Sequence, residues 1–129
     1  MNLKNVGKHH LGPWSEIGSS KLITTVPTTA ISKLDDPEPL MQFWDKVLDS
    51  YSYLLGIPYE RLRSERIVPD EQIGGGYMHS GYPVMTFLDV VDHSINLQKL
   101  KNNTINTTWG YFHELGHNHQ KGEWTFEGS

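Results

Sequence analysis

The chain has 129 residues, which allows one domain with a real core, and its 11 % aromatic content argues against disorder. Eleven Lys and Arg against fifteen Asp and Glu give a formal net charge of −4, so the basic field of a nucleic-acid binder is missing. Without cysteine, disulfides, thiolate catalysis and cysteine-held zinc are excluded, and any metal must be held by carboxylates and the seven histidines.

No apolar run approaches the roughly 20 residues of a membrane span, and the first residues carry no apolar signal-peptide core. Residues 1–20 are polar and contain glycine, and read as a loop or an incoming edge. Lys21–Val26 is β-branched and ends at Pro27, which predicts a strand. Asp36 suits the cap of a helix and Pro37 its first position. Leu40, Trp44, Val47, Leu48, Tyr51, Leu54 and Leu55 then recur on one helical face, and the bland reading of that stripe is core packing. Gly56 and Pro58 stop the helix. Arg63–Val68 reads as a strand or its approach.

Gly74–Gly76 is a breaker, because a phosphate loop would need a following helix with lysine or glycines in register. Tyr82–Leu88 is a strand, and Pro83 near its start suggests an edge. Residues 92–108 are polar and include two glycosylation sequons, at Asn102 and Asn106, relevant only to a secreted chain. Trp109–Gln120 returns to a helix-compatible pattern, which Gly122 breaks.

His113-Glu114-Leu115-Gly116-His117 is an H-E-x-x-H motif. Four residues apart on a helix, two imidazoles share one face and can reach one Zn²⁺. The intervening Glu114 then addresses the water that the metal activates, as general base. Trp109, Tyr111, Phe112 and Leu115 offer a buried face for such a helix. A third protein ligand is required, and three sources are open: Glu123, Glu127, or a glutamate beyond Ser129. Glu123 has the spacing of the third histidine in the longer H-E-x-x-H-x-x-G-x-x-H motif, but Gln120 stands where that motif has glycine. His119 reads as an exposed helix-end residue, favoured by the helix dipole. His79 is either a donor to a substrate carbonyl or a satisfied loop histidine. His9, His10 and His93 read as surface.

The stretch Trp109–Gln120 followed by Glu123–Gly128 closely resembles the enhancin-like, mucin-targeting zinc peptidases, peptidase family M-60. Gln72–Met85 looks like that family's second block, Asp35–Asp45 like its helical block, and Leu22–Pro27 like the strand before it. The resemblance covers about residues 12–129. It implies zinc held by His113 and His117, Glu114 as catalytic base, and a third-ligand glutamate just after the Trp124–Phe126 block. That glutamate is expected past Ser129 rather than at Glu127, so the chain is expected to be a fragment whose zinc site is incomplete.

The implied fold is α+β, the amino-terminal portion of a gluzincin-like domain. A small mixed sheet carries an edge strand near Tyr82–Leu88, and the helix Trp109–Gln120 lies beneath it. Substrate pairs with that edge, which makes His79 and Tyr82 substrate-binding candidates. The implied reaction is peptide-bond hydrolysis in a protein or glycoprotein, perhaps mucin-like, at an extracellular or cell-surface location. A related branch, the animal TRP-channel-associated factors, shares these blocks, typically loses the second histidine and acts by binding. His117 favours the enzyme branch, and an interaction module on a peptidase-like fold is the alternative.

Overall fold

The computed structural model describes residues 7–32, 34–70, 78–102 and 107–121, with residues 7–11 and Asp89 described by backbone alone. Gly74–Gly76, Asn106, Glu123, Trp124–Phe126 and Glu127 therefore lie outside the described residues.

The chain enters as a hairpin. β1 (Gly7–Leu11) runs antiparallel to β2 (Trp14–Gly18) across Gly12 and Pro13, and β2 pairs antiparallel with β3 (Leu22–Pro27). Of the two readings for residues before 20, a loop or an incoming edge, the second holds for Gly7–Leu11, an edge strand of the sheet, and Trp14–Gly18 is a strand inside it. One of the two inward positions of β2 is Ser15, whose hydroxyl meets that of Thr28 at 2.8 Å, and the polar residue hides the alternation. His9 and His10 fall in β1.

After the short α1 (Thr28–Ile31), the long α2 (Glu38–Leu55) crosses to β4 (Glu65–Asp70), which joins β3 in parallel. The helix starts one residue later than Pro37, and Asp36 accepts from the free N–H of Glu38 at 3.0 Å. It stops at Gly56, which takes up the left-handed conformation. β5 (Met78–His79) and β6 (Val84–Phe87) pair antiparallel, and β6 joins β4 in parallel.

The six strands lie in the order β1-β2-β3-β4-β6-β5. Val84–Phe87 is therefore an interior strand, which corrects the expected edge near Tyr82–Leu88. The edge on this side is β5, with β1 at the other, and Pro83 stands just outside β6, so its missing N–H removes no rung from that strand.

Register carries one buried row across the sheet. Ile17 faces Thr24, Thr24 faces Ile67, and Ile67 faces Val84, all at 2 % exposure or less. Against this face α2 buries Leu40, Met41, Trp44, Leu48 and Ser52. The helical period is as expected, but the buried strip is rotated from the one expected: Leu54 is 77 % exposed, and Val47 and Tyr51 are half-buried.

A 3₁₀ turn (Leu88–Val90) leads to α3 (Val91–Ser94), α4 (Leu97–Asn102) and α5 (Thr107–His119). Trp44 is the hinge pin of this layer. Its ring meets Tyr111 edge-on at 5.6 Å and its Nε1 donates to the Ser94 carbonyl at 3.3 Å.

His93, expected at the surface, is buried. Its Nε2 lies 2.8 Å from the Thr108 hydroxyl, which gives its own single proton to the Leu100 carbonyl at 2.8 Å. Nε2 must therefore be the donor in the first bond.

Candidate functional site

α5 buries Thr107, Thr108, Tyr111 and Leu115 on one side. The four-residue period then turns His113 and His117 to the other side, a full turn apart. Their Nε2 atoms stand 2.9 Å from each other, with the rings near perpendicular at 86°. The second nitrogen of His117 is also engaged, since Nδ1 lies 2.9 Å from the Gln120 side-chain oxygen. An amide oxygen only accepts, so Nδ1 carries the proton and Nε2 keeps its lone pair on the His113 side. Glu114 is half-buried beside the pair and carries no hydrogen bond or ion pair to another described residue.

A cleft of about 520 Å³ runs between α2 and α5 along the pair. Val47, Tyr51, Leu54, Trp109 and Phe112 line it with His113 and His117. Tyr51 fixes one wall. Its hydroxyl donates to the Phe112 carbonyl, and burial pushes its pKa up to about 12. His119 does not extend freely from the helix end as expected. It is half-buried, its Nδ1 donates to the Leu115 carbonyl at 2.6 Å, and its ring stacks on Tyr51.

The other expected site residues lie on the neighbouring sheet edge. Met78 faces α5, with its sulfur 3.1 Å from where a Cβ on Gly110 would be. Alternation then sets His79 on the opposite face of β5, with Nδ1 3.0 Å from the Ser80 carbonyl oxygen. Tyr82 is 45 % exposed, and the Arg63 guanidinium lies over its ring at 3.5 Å. His113 and His117 are thus brought together, with Glu114 next to His113 in the chain, while His79 lies in β5 and Tyr82 in the turn before β6. Among the described residues no group of three or more His, Asp or Glu forms a ready metal cage. Glu123 and Glu127 lie outside that set.

Sequence reasoning missed Gln120, Tyr51 and Asn118 as parts of the site. The His117–Gln120 spacing of three was the available signal for the first. Asn118 binds the β5–β6 loop through Gly81, thirty-seven residues earlier, and no local pattern announces that contact.

Comparison with known proteins adds three findings. The family model for "Peptidase M60, enhancin and enhancin-like" matches residues 4–129. TRPM8 channel-associated factor 3 of Mus musculus is 43 % identical over 123 residues, which is 95 % of this chain and 13 % of that protein. TRPM8 channel-associated factor 2 of Homo sapiens is 42 % identical over 119 residues, 92 % of this chain and again 13 % of the relative. The chain therefore spans about an eighth of the length of these relatives.

Among solved structures, a metallopeptidase from Bacteroides thetaiotaomicron aligns with a TM-score of 0.71 at 17 % identity, over 84 % of this chain and 19 % of that one. A functionally unknown conserved protein from Bacillus anthracis str. Ames aligns at 0.74 and 21 %, over 89 % and 25 %. At these identities the likeness is one of fold.

Proposed function

The chain belongs to the peptidase M60, enhancin and enhancin-like family, and from that premise we propose that it carries the base and two zinc ligands of a peptide hydrolase acting on proteins or glycoproteins. The observation that carries the reading is the convergence of His113 and His117 through Nε2 at 2.9 Å, with Gln120 holding the far nitrogen of His117. Two imidazole nitrogens on one tetrahedral Zn²⁺ stand about 3.3 Å apart, so the pair needs to open by only a few tenths of an ångström. Neutral imidazoles without competing cysteine suit zinc. A carboxylate following α5 is the third ligand this reading requires, with Glu127 or a later glutamate as its source.

Zinc, when bound, supplies Lewis acidity toward the scissile carbonyl and makes the attacking water more acidic. The rest falls to the chain. His113 and His117 fix the site on a helix anchored by its buried side, and the tautomer imposed by Gln120 keeps a lone pair pointed toward His113. Glu114, next to His113, takes the proton of the attacking water and returns it to the leaving amine nitrogen. The apolar walls from Val47, Phe112 and Trp109 lower the local dielectric and strengthen these interactions.

A second reading has its own observation, the 40 % or greater identity to proteins named as TRPM8 channel-associated factors. Under it the same fold is an interaction module for a channel. One comparison separates the two. Zinc content and cleavage of a mucin-type glycoprotein are measured for the purified protein and its His113→Ala/His117→Ala variant. Zinc and cleavage lost together support the hydrolase. Equal zinc in both proteins sinks it, and zinc binding without cleavage moves the assignment to the interaction module.

A further inference from the structure

Asn118, the residue after His117, makes a saturated set of contacts away from the metal pair. Its Oδ1 accepts from the Gly81 N–H at 2.7 Å and its Nδ2 donates to the Gly81 carbonyl at 2.8 Å. The remaining Nδ2 proton points to Glu65 Oε2 at 3.2 Å. The carboxamide thus holds both polar groups of one residue, as a neighbouring strand does in a hydrogen-bonded antiparallel pair. Its orientation is fixed, because a flipped amide would set oxygen against the Gly81 carbonyl and the Glu65 carboxylate. Gly81 adopts φ +129°, a conformation that L side chains rarely take. Glu65 opens β4, is paired with Arg61 at 3.7 Å, and is bonded through its backbone to Lys21 at 2.8 Å.

Three parts of the molecule therefore meet at one side chain: the C-terminal turn of α5, the start of β4, and the turn leading out of β5. Among the described residues β5 is the last strand of the sheet and pairs with β6 alone. On its outer side no described strand pairs with it, and an extended peptide can add there.

We propose that Asn118 is a positioning residue that holds the edge strand β5, and with it an added substrate strand, in register with the His113–His117 pair. This rests on the hydrolase reading and deepens it by naming what aligns substrate with the site. Asn118 touches neither metal nor substrate, so its loss acts on alignment rather than on the proton transfer by Glu114.

The test compares the protein with its Asn118→Ala and Asn118→Asp variants and with an Asn118→Asp/Glu65→Gln pair. In the pair, the new amide donates back to the new carboxylate. Three quantities are read: bound zinc, hydrogen exchange at the Gly81 amide, and affinity for a short fluorescein-labelled Thr- and Ser-rich peptide, with KM and kcat for its cleavage.

The single variants should keep zinc and kcat, exchange Gly81 faster, and bind the peptide about tenfold more weakly. The pair should recover part of that affinity. Unchanged peptide affinity in Asn118→Ala overturns the proposal, as does a parallel loss of zinc, kcat and affinity, which marks a general structural role. Wild-type protein that binds the peptide without cleaving it refutes the hydrolase reading alone, and the Asn118 comparison then stands on affinity and exchange.

Discussion

The phenol ring of Tyr51 lies flat against the imidazole of His119, with ring centroids 4.7 Å apart and planes 10° from parallel. The same phenol donates to the Phe112 carbonyl, so one α2 side chain grips α5 both before and after the His113–His117 pair. Removing only the hydroxyl, in Tyr51→Phe, keeps the stack and loses the bond. Chemical denaturation should show a loss of about 1 kcal/mol, the usual net worth of such a bond. Folding raises the Tyr51 pKa from 10.0 to about 12. Its protonated form is favoured in the folded protein, so this stability is full below pH 10.0 and is lost as pH rises through about 12. The Phe variant should lack that part of the alkaline decline.

Replacing Glu114 by Gln keeps shape and removes the proposed base. Hydrolysis should fall by about 10²–10⁴-fold while zinc content stays at the wild-type level. A Glu114→Gln protein that cleaves as fast as the parent would remove Glu114 from the proposed chemistry.

Burial and the nearby Lys99 hold the pKa of His93 below its ordinary 6.5. The unfolded chain then binds a proton that the folded one resists. Stability is full above pH 6.5 and falls as pH drops through that value, levelling off below the folded pKa. In His93→Gln, whose amide can still donate to Thr108, thermal unfolding should lose this share of its acid sensitivity. An identical pH profile in both proteins would contradict the assignment.

Two glycines of α5 should respond differently to alanine. A Cβ on Gly116 would meet Tyr51 at an ordinary 3.8 Å, so Gly116→Ala should gain about 0.5–1 kcal/mol of helix propensity. At Gly110 the new methyl would stand 3.1 Å from the Met78 sulfur, and β5 rides on that methionine. Gly110→Ala should therefore gain less or lose stability. Denaturant midpoints for the two variants decide, and equal gains would mean that Met78 yields freely.

Both long helices can be read from the sequence because aromatic and aliphatic residues repeat at the helical period over many turns. The period does not reveal how the two faces are used. Leu40, Trp44 and Leu48 enter the core, whereas Val47, Tyr51 and Leu54 turn to the cleft. The H-E-x-x-H pair was also readable, since a spacing of four is enough to place both imidazoles together. Ser15 concealed β2 because a hydroxyl took an inward position. The burial of His93 is not legible locally, because its partner, the Thr108 hydroxyl that in turn donates to the Leu100 carbonyl, lies on a later helix. Strand order cannot be had from local pattern at all. That Val84–Phe87 is interior depends on β5, a strand of two residues.

The mixed sheet also sets an order of assembly. β1, β2 and β3 are joined by short turns and can zip together quickly as neighbours, in the microsecond range typical of hairpins. The parallel ladders of β3 with β4 and of β4 with β6 must wait for distant stretches of chain to close, a slower search with a higher entropic barrier. α5 reaches its seat only once β5 and α2 are both in place to receive it. The expected nucleus is the amino-terminal meander: in stopped-flow kinetics substitutions there should slow refolding, whereas those in the α5 seat should chiefly hasten unfolding.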